Sequence, residues 1–520
     1  MILELTGNSG VNRNYVQTLC MVFFPGAKFP PDEQPSADTP VVKVQSDVNE
    51  EKNEAYARVE IHYKGKTTRK ISRSTLDGGH AGRERNIKIS VGTAFFEAGR
   101  AFFGYTPPWG MLTGVRPSKL AAEFIMQGME RDKIRTLMNE EYFVNPKKAA
   151  LATNVAFREH EILRSSGDQS RSCSVYISVP FCPSRCAYCS FVSYSTPRLL
   201  SLIPEYVSRL CRDMKRLSDV INQFGLRIRT VYIGGGTPTV LTSGQLDALL
   251  ETAKRCFVFD DIEEFSIEAG RPDTITEEKL RIAREYGVDR ISINPQTLSD
   301  DLLSEIGRNH TVKQFYEAYE TAQKAGFRTI NTDVICGLPG DNFYNFSNTV
   351  EKILDLRPQN ITYHTFCVKR SSEFLSWGGK LFDREGGDVG QCVDYAQLKS
   401  ESSGYLPYYM YRQKNTVGNY ENTGYSLEGY EGRYNIYIME EIHSIFAAGA
   451  GAVTKLIDQS RGGKIAGFGH VRERTGKPPI KRVFMPKYPY EYLSMDENSP
   501  QFMRYYDEIT EFLNPEKTED

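Results

Sequence analysis

The chain has 520 residues, and its 64 Lys and Arg against 66 Asp and Glu leave a net charge of −2. Apolar residues make up 40% and charged ones 25%, the proportions of a folded globular chain, which excludes wholesale disorder. The balanced charge argues against a dedicated nucleic-acid binder, and no apolar run approaches the ~20 residues of a membrane helix.

Met1 to Gly10 has no basic flank before an apolar core, so a cytoplasmic protein without a secretory signal is expected. At ~150 residues per domain the length suggests about three units. Pro30 to Pro40 is a polar, proline-rich break. Residues 41–63 alternate as strands do, and Thr93 to Met129 reads as helical around the segment Trp109 to Lys119. The polar stretch Ser165 to Ser172 reads as a linker closing an N-terminal domain over residues 1–165.

A regular alternation follows. Strands are expected at Ser174–Val179, Thr230–Ile233, Glu264–Glu268, Asp289–Asn294, Arg328–Ile335 and Asn360–Cys367. Helices are expected between them, at Leu199–Phe224, Ser243–Cys256, Glu277–Tyr286, Val312–Lys324 and Phe343–Leu356. Six strands alternating with helices are the grammar of a βα barrel, whose chemistry sits on loops at the C-terminal strand ends. Gly234-Gly-Gly-Thr-Pro238, Gly337-Leu-Pro-Gly340 and a cysteine loop all fall at such ends.

Of ten cysteines, Cys182, Cys186 and Cys189 stand within eight residues. In a reducing compartment such a cluster points to metal rather than to a disulfide. A structural zinc would need a fourth ligand from Cys173 or a histidine, whereas three thiolates suffice for an iron–sulfur cluster with one iron open. Ligand softness alone does not choose between them.

The segment Tyr176-Ile-Ser-Val-Pro-Phe-Cys182-Pro-Ser-Arg-Cys186-Ala-Tyr188-Cys189 resembles the signature of the radical S-adenosylmethionine (SAM) superfamily. Its Pro-Phe-Cys entry and the downstream motifs, from Tyr176 to Cys367, resemble the oxygen-independent coproporphyrinogen III oxidase family. Leu112-Thr-Gly-Val-Arg116-Pro-Ser-Lys119 and Tyr409-Met-Tyr-Arg-Gln-Lys-Asn415 are similar to its HemZ-type branch of coproporphyrinogen dehydrogenases.

The resemblance implies an α/β chain built as a partial (β/α)6 radical SAM barrel at residues 170–375. An α+β N-terminal domain would precede it, and a C-terminal, substrate-covering extension at residues 376–520 would follow. It implies a 4Fe–4S cluster on Cys182, Cys186 and Cys189, with SAM chelating the fourth iron. In that family an electron from the cluster cleaves SAM to a 5′-deoxyadenosyl radical, and the resemblance implies the same here.

The signature tyrosines Tyr176 and Tyr188 are expected at the cofactors. Gly235, Gly236 and Thr237 would line the amino-acid end of SAM, with glycines letting the backbone approach and offer its N–H groups. Glu268 would take ribose hydroxyls. Gln296 and Arg308 keep the spacing of the family's SAM-contacting pair, Arg308 facing the SAM carboxylate. Asp333 matches an acidic residue beside SAM, and Cys367 a backbone contact to adenine. Ser178 stands where many members carry histidine. No catalytic residue is assigned.

The implied reaction is oxidative decarboxylation of two coproporphyrinogen III propionates to vinyls, giving protoporphyrinogen IX. Haem degradation or methylation by the same chemistry is an alternative, and non-enzymatic haem handling is another. Implied partners are a tetrapyrrole and a flavodoxin or ferredoxin electron donor. Nine tyrosines at 401–440, among them Tyr405, Tyr408, Tyr409, Tyr411 and Tyr420, beside Arg412 and Lys414, suit a flat anionic macrocycle or an aromatic lid. Arg116 and Lys119 invite a propionate role or are surface charges. The seven histidines show no metal spacing, and structural roles are expected for His310 and His364.

Overall fold

The computed structural model describes residues 1–31, 33–34, 36, 38–76, 79–189, 191, 193–367, 388–413, 416–458, 480–495 and 499–514. Lys414, Asn415 and His470 lie outside the described residues.

Near the N-terminus β1 (Ile2–Thr6), β2 (Val41–Asn49), β3 (Glu54–Tyr63) and β4 (Lys66–Thr75) form a sheet in that order. β1 runs parallel to β2, and the other pairs are antiparallel. Along β3, Ala55, Ala57, Val59 and Ile61 turn inward while their neighbours face outward, the period-two pattern of a sheet with one wet face. Helices Gly79–Phe103 and Pro146–Ser165 close this unit. The expected helical stretch at Thr93–Met129 is broken: one helix stops at Phe103, and the next, Ser118–Met126, begins only after Pro117. Pro107, Pro108 and Pro117, with Gly104 and Gly110 at positive φ, interrupt the ladder of helical hydrogen bonds.

The next six strands are β5 (Ser172–Val179), β6 (Arg227–Gly235), β7 (Glu264–Glu268), β8 (Arg290–Ser292), β9 (Thr329–Cys336) and β10 (Asn360–Thr365). They lie side by side in chain order and all are parallel. Helices Ile203–Gln223, Ser243–Cys256, Glu277–Glu285, Val312–Ala325 and Phe343–Asp355 connect them. The first buries Tyr206, Leu210, Met214 and Leu217, one stripe of a 3.6-residue period. Thr242 with Gln245, and Thr311 with Gln314, form reciprocal capping boxes that fix where two of these helices start. The expected elements and the partial (β/α)6 barrel are therefore present.

Five further strands were not anticipated. β11 (Leu406–Arg412) and β12 (Glu421–Ser426) extend the sheet antiparallel beyond β10. β13 (Ser444–Ala448) pairs parallel with β5, and β14 (Val453–Ile457) and β15 (Ile480–Phe484) follow antiparallel. The eleven strands run β11-β12-β10-β9-β8-β7-β6-β5-β13-β14-β15. Both edges of the six-stranded core are thereby covered, which removes its exposed backbone donors and acceptors. Among the described residues no helix is long and apolar enough to cross a membrane.

Candidate active site

Alternate residues of the parallel strands converge on one cavity of about 620 Å³. Tyr176, Tyr232, Glu268, Arg290, Ser292, Asn331, Asp333, Thr362 and His364 come from β5 to β10, and Tyr409 and Tyr411 from β11. Their neighbours Ile177, Val231, Ile267, Ile291, Ile330 and Ile361 face the apolar core under the helices. Side chains alternate across a strand, so a barrel wall that reads as uniformly buried carries a polar inner face.

Cys182, Cys186 and Cys189 all line this cavity, on the loop that leaves β5. The loop is pinned by its backbone: Cys182 N–H donates to Tyr194 O, Ala187 N–H to Ile306 O and Cys189 N–H to Cys186 O, each at 3.0 Å. Thr237 Oγ1 lies 3.3 Å from Cys182 Sγ, and Arg271 Nη1 lies 3.7 Å from Cys186 Sγ. Burial pushes the Cys182 thiol up to about 11 and raises Cys189 as well. Among the described residues no three His, Cys, Asp or Glu side chains converge on a single ion. Thiolates that each hold a different iron have no need to do so.

The glycine turn ends β6. Gly235 N–H donates to Glu268 Oε2 (3.2 Å), Gly236 N–H to Val179 O (2.9 Å) and Thr237 N–H to Phe181 O (2.7 Å). The three N–H groups expected to meet a ligand are thus already bonded within the protein. What requires glycine here is close approach: a Cβ on Gly236 would sit 2.5 Å from Phe181 O, and Gly235 has φ 118°. Gly236→Ala is expected to cost about 1–3 kcal/mol of stability through overpacking. A denaturation midpoint unchanged from wild type would contradict this.

Glu268 accepts from Tyr232 Oη at 2.6 Å. Burial pushes its carboxyl up to about 7, with Asp333 adding to the rise and the Tyr232 and Gly235 hydrogen bonds opposing it. Burial would also raise Asp333, but its hydrogen bonds and the His364 ring hold it below the usual range. Asn294 and Asn331 each donate to it at 2.8 Å, and His364 Nε2 lies 3.6 Å away. Gln296 lines the cavity at φ 66°, a strained conformation for a non-glycine residue, fixed by backbone bonds to Asp333 and Ile335. Arg308 is largely engaged: Nε and Nη2 donate to Tyr188 Oη, and Nη1 donates to Gly270 O and Asn294 O. One Nη2 proton remains for a ligand. Cys367 lines the cavity, its backbone bridged to Thr416.

The cavity therefore gathers all thirteen residues expected at the cofactors. Other expectations are corrected. Arg412 turns away, donating to Leu112 O at 2.6 Å and resting on the Trp109 ring. Arg116 is neither a cavity residue nor a loose surface charge, because it bonds Met439 O and Glu441. Ser178 donates to Ala450 O. Tyr405 and Tyr408 are buried in the core, and Tyr420 covers Lys148, so only Tyr409, Tyr411 and Tyr434 of the tail face the cavity. His364 is a cavity residue. His310 is 2% exposed with neither ring nitrogen bonded to a side chain, and burial, then Arg308, lowers it to about 3.

Arg271, Arg290, Tyr232 and Tyr434 were not singled out from the sequence. The alternation Arg290, Ser292, Asn294 along β8 was the available signal, since polar residues at period two in a buried strand need an interior to face.

Residues 176–353 match the family model described as Radical SAM superfamily. The oxygen-independent coproporphyrinogen-III oxidase-like protein HemZ of Bacillus subtilis (strain 168) is 37% identical over 392 residues, 75% of this chain and 78% of that protein. The heme chaperone HemW of the same organism is 31% identical, over 53% of this chain and 70% of its own length. Among solved structures, coproporphyrinogen III oxidase (HemN) from Escherichia coli aligns with a TM-score of 0.43 at 20% identity, covering 57% of this chain and 67% of that one.

Proposed function

The chain belongs to the radical SAM superfamily, in its oxygen-independent coproporphyrinogen III oxidase family, and from that premise we propose that it decarboxylates coproporphyrinogen III to protoporphyrinogen IX. The superfamily's cofactors are a 4Fe–4S cluster and SAM, which together supply hydrogen-atom abstraction from an unactivated carbon.

The residues present fit both groups. Cys182, Cys186 and Cys189 would hold the cluster, with Tyr188 beside it through Arg308. Arg271 and Thr237 would donate to thiolate sulfur. Glu268 would accept from ribose hydroxyls, and Arg308 and Gln296 would flank the SAM carboxylate. Gly235, Gly236 and Thr237 would give SAM a close backbone wall, and Tyr176, Asp333 and Cys367 would complete it. Loss of the propionate β-hydrogen atom, then of CO2 and of one electron to an external one-electron acceptor, would leave a vinyl group. Placement of the site inside the barrel would limit access of water and oxygen to the reacting carbon. A flavodoxin- or ferredoxin-type donor would supply the reducing electron.

The observation that carries this reading is the opening of the three-cysteine loop onto one cavity walled by Tyr176, Tyr232, Tyr434, Tyr409 and Tyr411. Such walls take a flat ring system by stacking. The test is anaerobic: reconstituted protein with SAM, dithionite and coproporphyrinogen III, followed by product mass. Loss of two carboxyl groups is the expected result. SAM cleavage with intact porphyrinogen would overturn it; a linear tetrapyrrole from haem would then mean haem degradation, and stoichiometric haem transfer would mean a carrier.

Glu268 adds a pH dependence. Its folded value of about 7 lies above the ordinary carboxyl range, so its stabilising contribution is full at low pH and lost as pH rises through about 7. Its capacity to accept ribose hydroxyls runs the other way. SAM affinity is expected to rise about tenfold from pH 6 to pH 8 if only the carboxylate binds. Glu268→Gln should flatten that rise, and equal slopes in calorimetric titrations of both proteins would refute the assignment.

A further inference from the structure

Among the described residues four cationic side chains line the cavity, and three of them are engaged. Arg271 bonds Asp273 and Ser184. Arg308 bonds Tyr188 and two carbonyls. Lys455 pairs with Glu441 at 2.9 Å and donates to Ile438 O. Arg290 is different: it is 5% exposed, yet its guanidinium makes no hydrogen bond or ion pair with any described residue. Glu264, on the neighbouring strand, acts on it only at a distance. Both Glu264 oxygens are taken, by Ser266 Oγ (2.7 Å) and by the Arg433 N–H (2.6 Å).

Burial works against this charge, but Tyr408 and Glu264 outweigh it from a distance, so the guanidinium stays charged while its N–H donors meet no acceptor in the protein. Arg290 stands at the start of β8, with Ser292, Asn294 and Gln296 leading from it towards the strand end where the cysteine loop lies. Around it the cavity is lined by Tyr232 and Tyr434, whose rings stack at 4.5 Å, and by Tyr409 and Asn435. An aromatic enclosure with a free guanidinium suits a carboxylate carried on an apolar or aromatic body, because the planar fork matches a carboxylate with two parallel bonds.

We infer that Arg290 is the carboxylate receptor of the barrel interior and that it anchors one propionate of the tetrapyrrole. The assignment rests on the tetrapyrrole reading above. It makes Arg290 a determinant of substrate recognition, acting on an acid side chain that is held while another reacts.

The test uses cluster-reconstituted full-length protein titrated anaerobically with coproporphyrin III, which carries four propionates, and with its tetramethyl ester, both read by porphyrin fluorescence. Arg290→Gln is expected to weaken the acid by about 10- to 100-fold, the range of a charge-assisted bidentate pair, and to leave the ester and SAM unchanged. Arg290→Lys should recover part of the loss. The melting temperature of Arg290→Gln should stay close to that of wild type, since no hydrogen bond or ion pair to a described residue is lost. Equal acid affinity in Arg290→Gln and wild type would sink the anchor and leave the tetrapyrrole reading standing. So would an equal loss for acid and ester, or failure of both variants to fold. If wild-type protein binds neither porphyrin, the tetrapyrrole reading falls and the anchor falls with it.

Discussion

Cys186→Ala is expected to give a folded chain that holds no cluster and cleaves no SAM. Cys186 is 8% exposed, and its sulfur faces Arg271 Nη1 across 3.7 Å inside the cavity. The truncation removes one sulfur from a loop whose shape is kept by backbone bonds to Tyr194 and Ile306, so the fold should survive. Two thiolates and a guanidinium cannot replace three soft anionic ligands, and the loss should be close to total rather than graded. Iron content after reconstitution and 5′-deoxyadenosine formation are the measurements. Cys173→Ala is the control: Cys173 is fully buried on β5 in the apolar core and is not among the residues that line the cavity. Full iron loading in Cys186→Ala would refute the cluster assignment.

Lys148→Met is expected to destabilise the protein by about 3–5 kcal/mol, the cost of leaving one member of a buried ion pair alone. Lys148, on the helix Pro146–Ser165, and Glu421, at the start of β12, are 2% and 1% exposed in their side chains and meet at 2.7 Å. Trp109 Nε1 donates to the second Glu421 oxygen at 2.9 Å, and Asp394 lies 3.2 Å from the ammonium. Burial works against the charge on Lys148, but Glu421 and Asp394 outweigh it and keep the ammonium above its usual range. This pair locks the N-terminal unit onto the edge of the barrel. Lys148→Met combined with Glu421→Gln removes both charges while keeping an acceptor for Trp109, and should recover more than half the loss. Urea denaturation decides it: a single mutant within about 1 kcal/mol of wild type would show that the pair is dispensable.

Much of the cavity wall is legible in the sequence. The barrel strands and helices announced themselves by periodicity and by turn residues. The helices Ser243–Cys256 and Val312–Ala325 also carry their start signals in the Thr-x-x-Gln caps. The thirteen residues expected at the cofactors came from the family resemblance, and the structure brings all of them to one cavity. Beyond Cys367 the reading by periodicity failed. β12, Glu-Asn-Thr-Gly-Tyr-Ser, is buried at every position, so it shows no alternation, and its polar residues resemble a loop. Gly424 is there because Tyr409 packs where its Cβ would stand, a requirement that involves two strands at once.

The sequence by itself determined the cysteine loop and the barrel: three closely spaced thiols and strands alternating with helices are local patterns. Only the tertiary structure decided which side chains still have free hydrogen-bonding capacity. The glycine-turn N–H groups, Arg308 and Arg412 are engaged by partners dozens or hundreds of residues away, whereas Arg290 is left free beside a cavity. Whether a polar group has a partner is a property of three-dimensional packing, and no spacing along the chain records it.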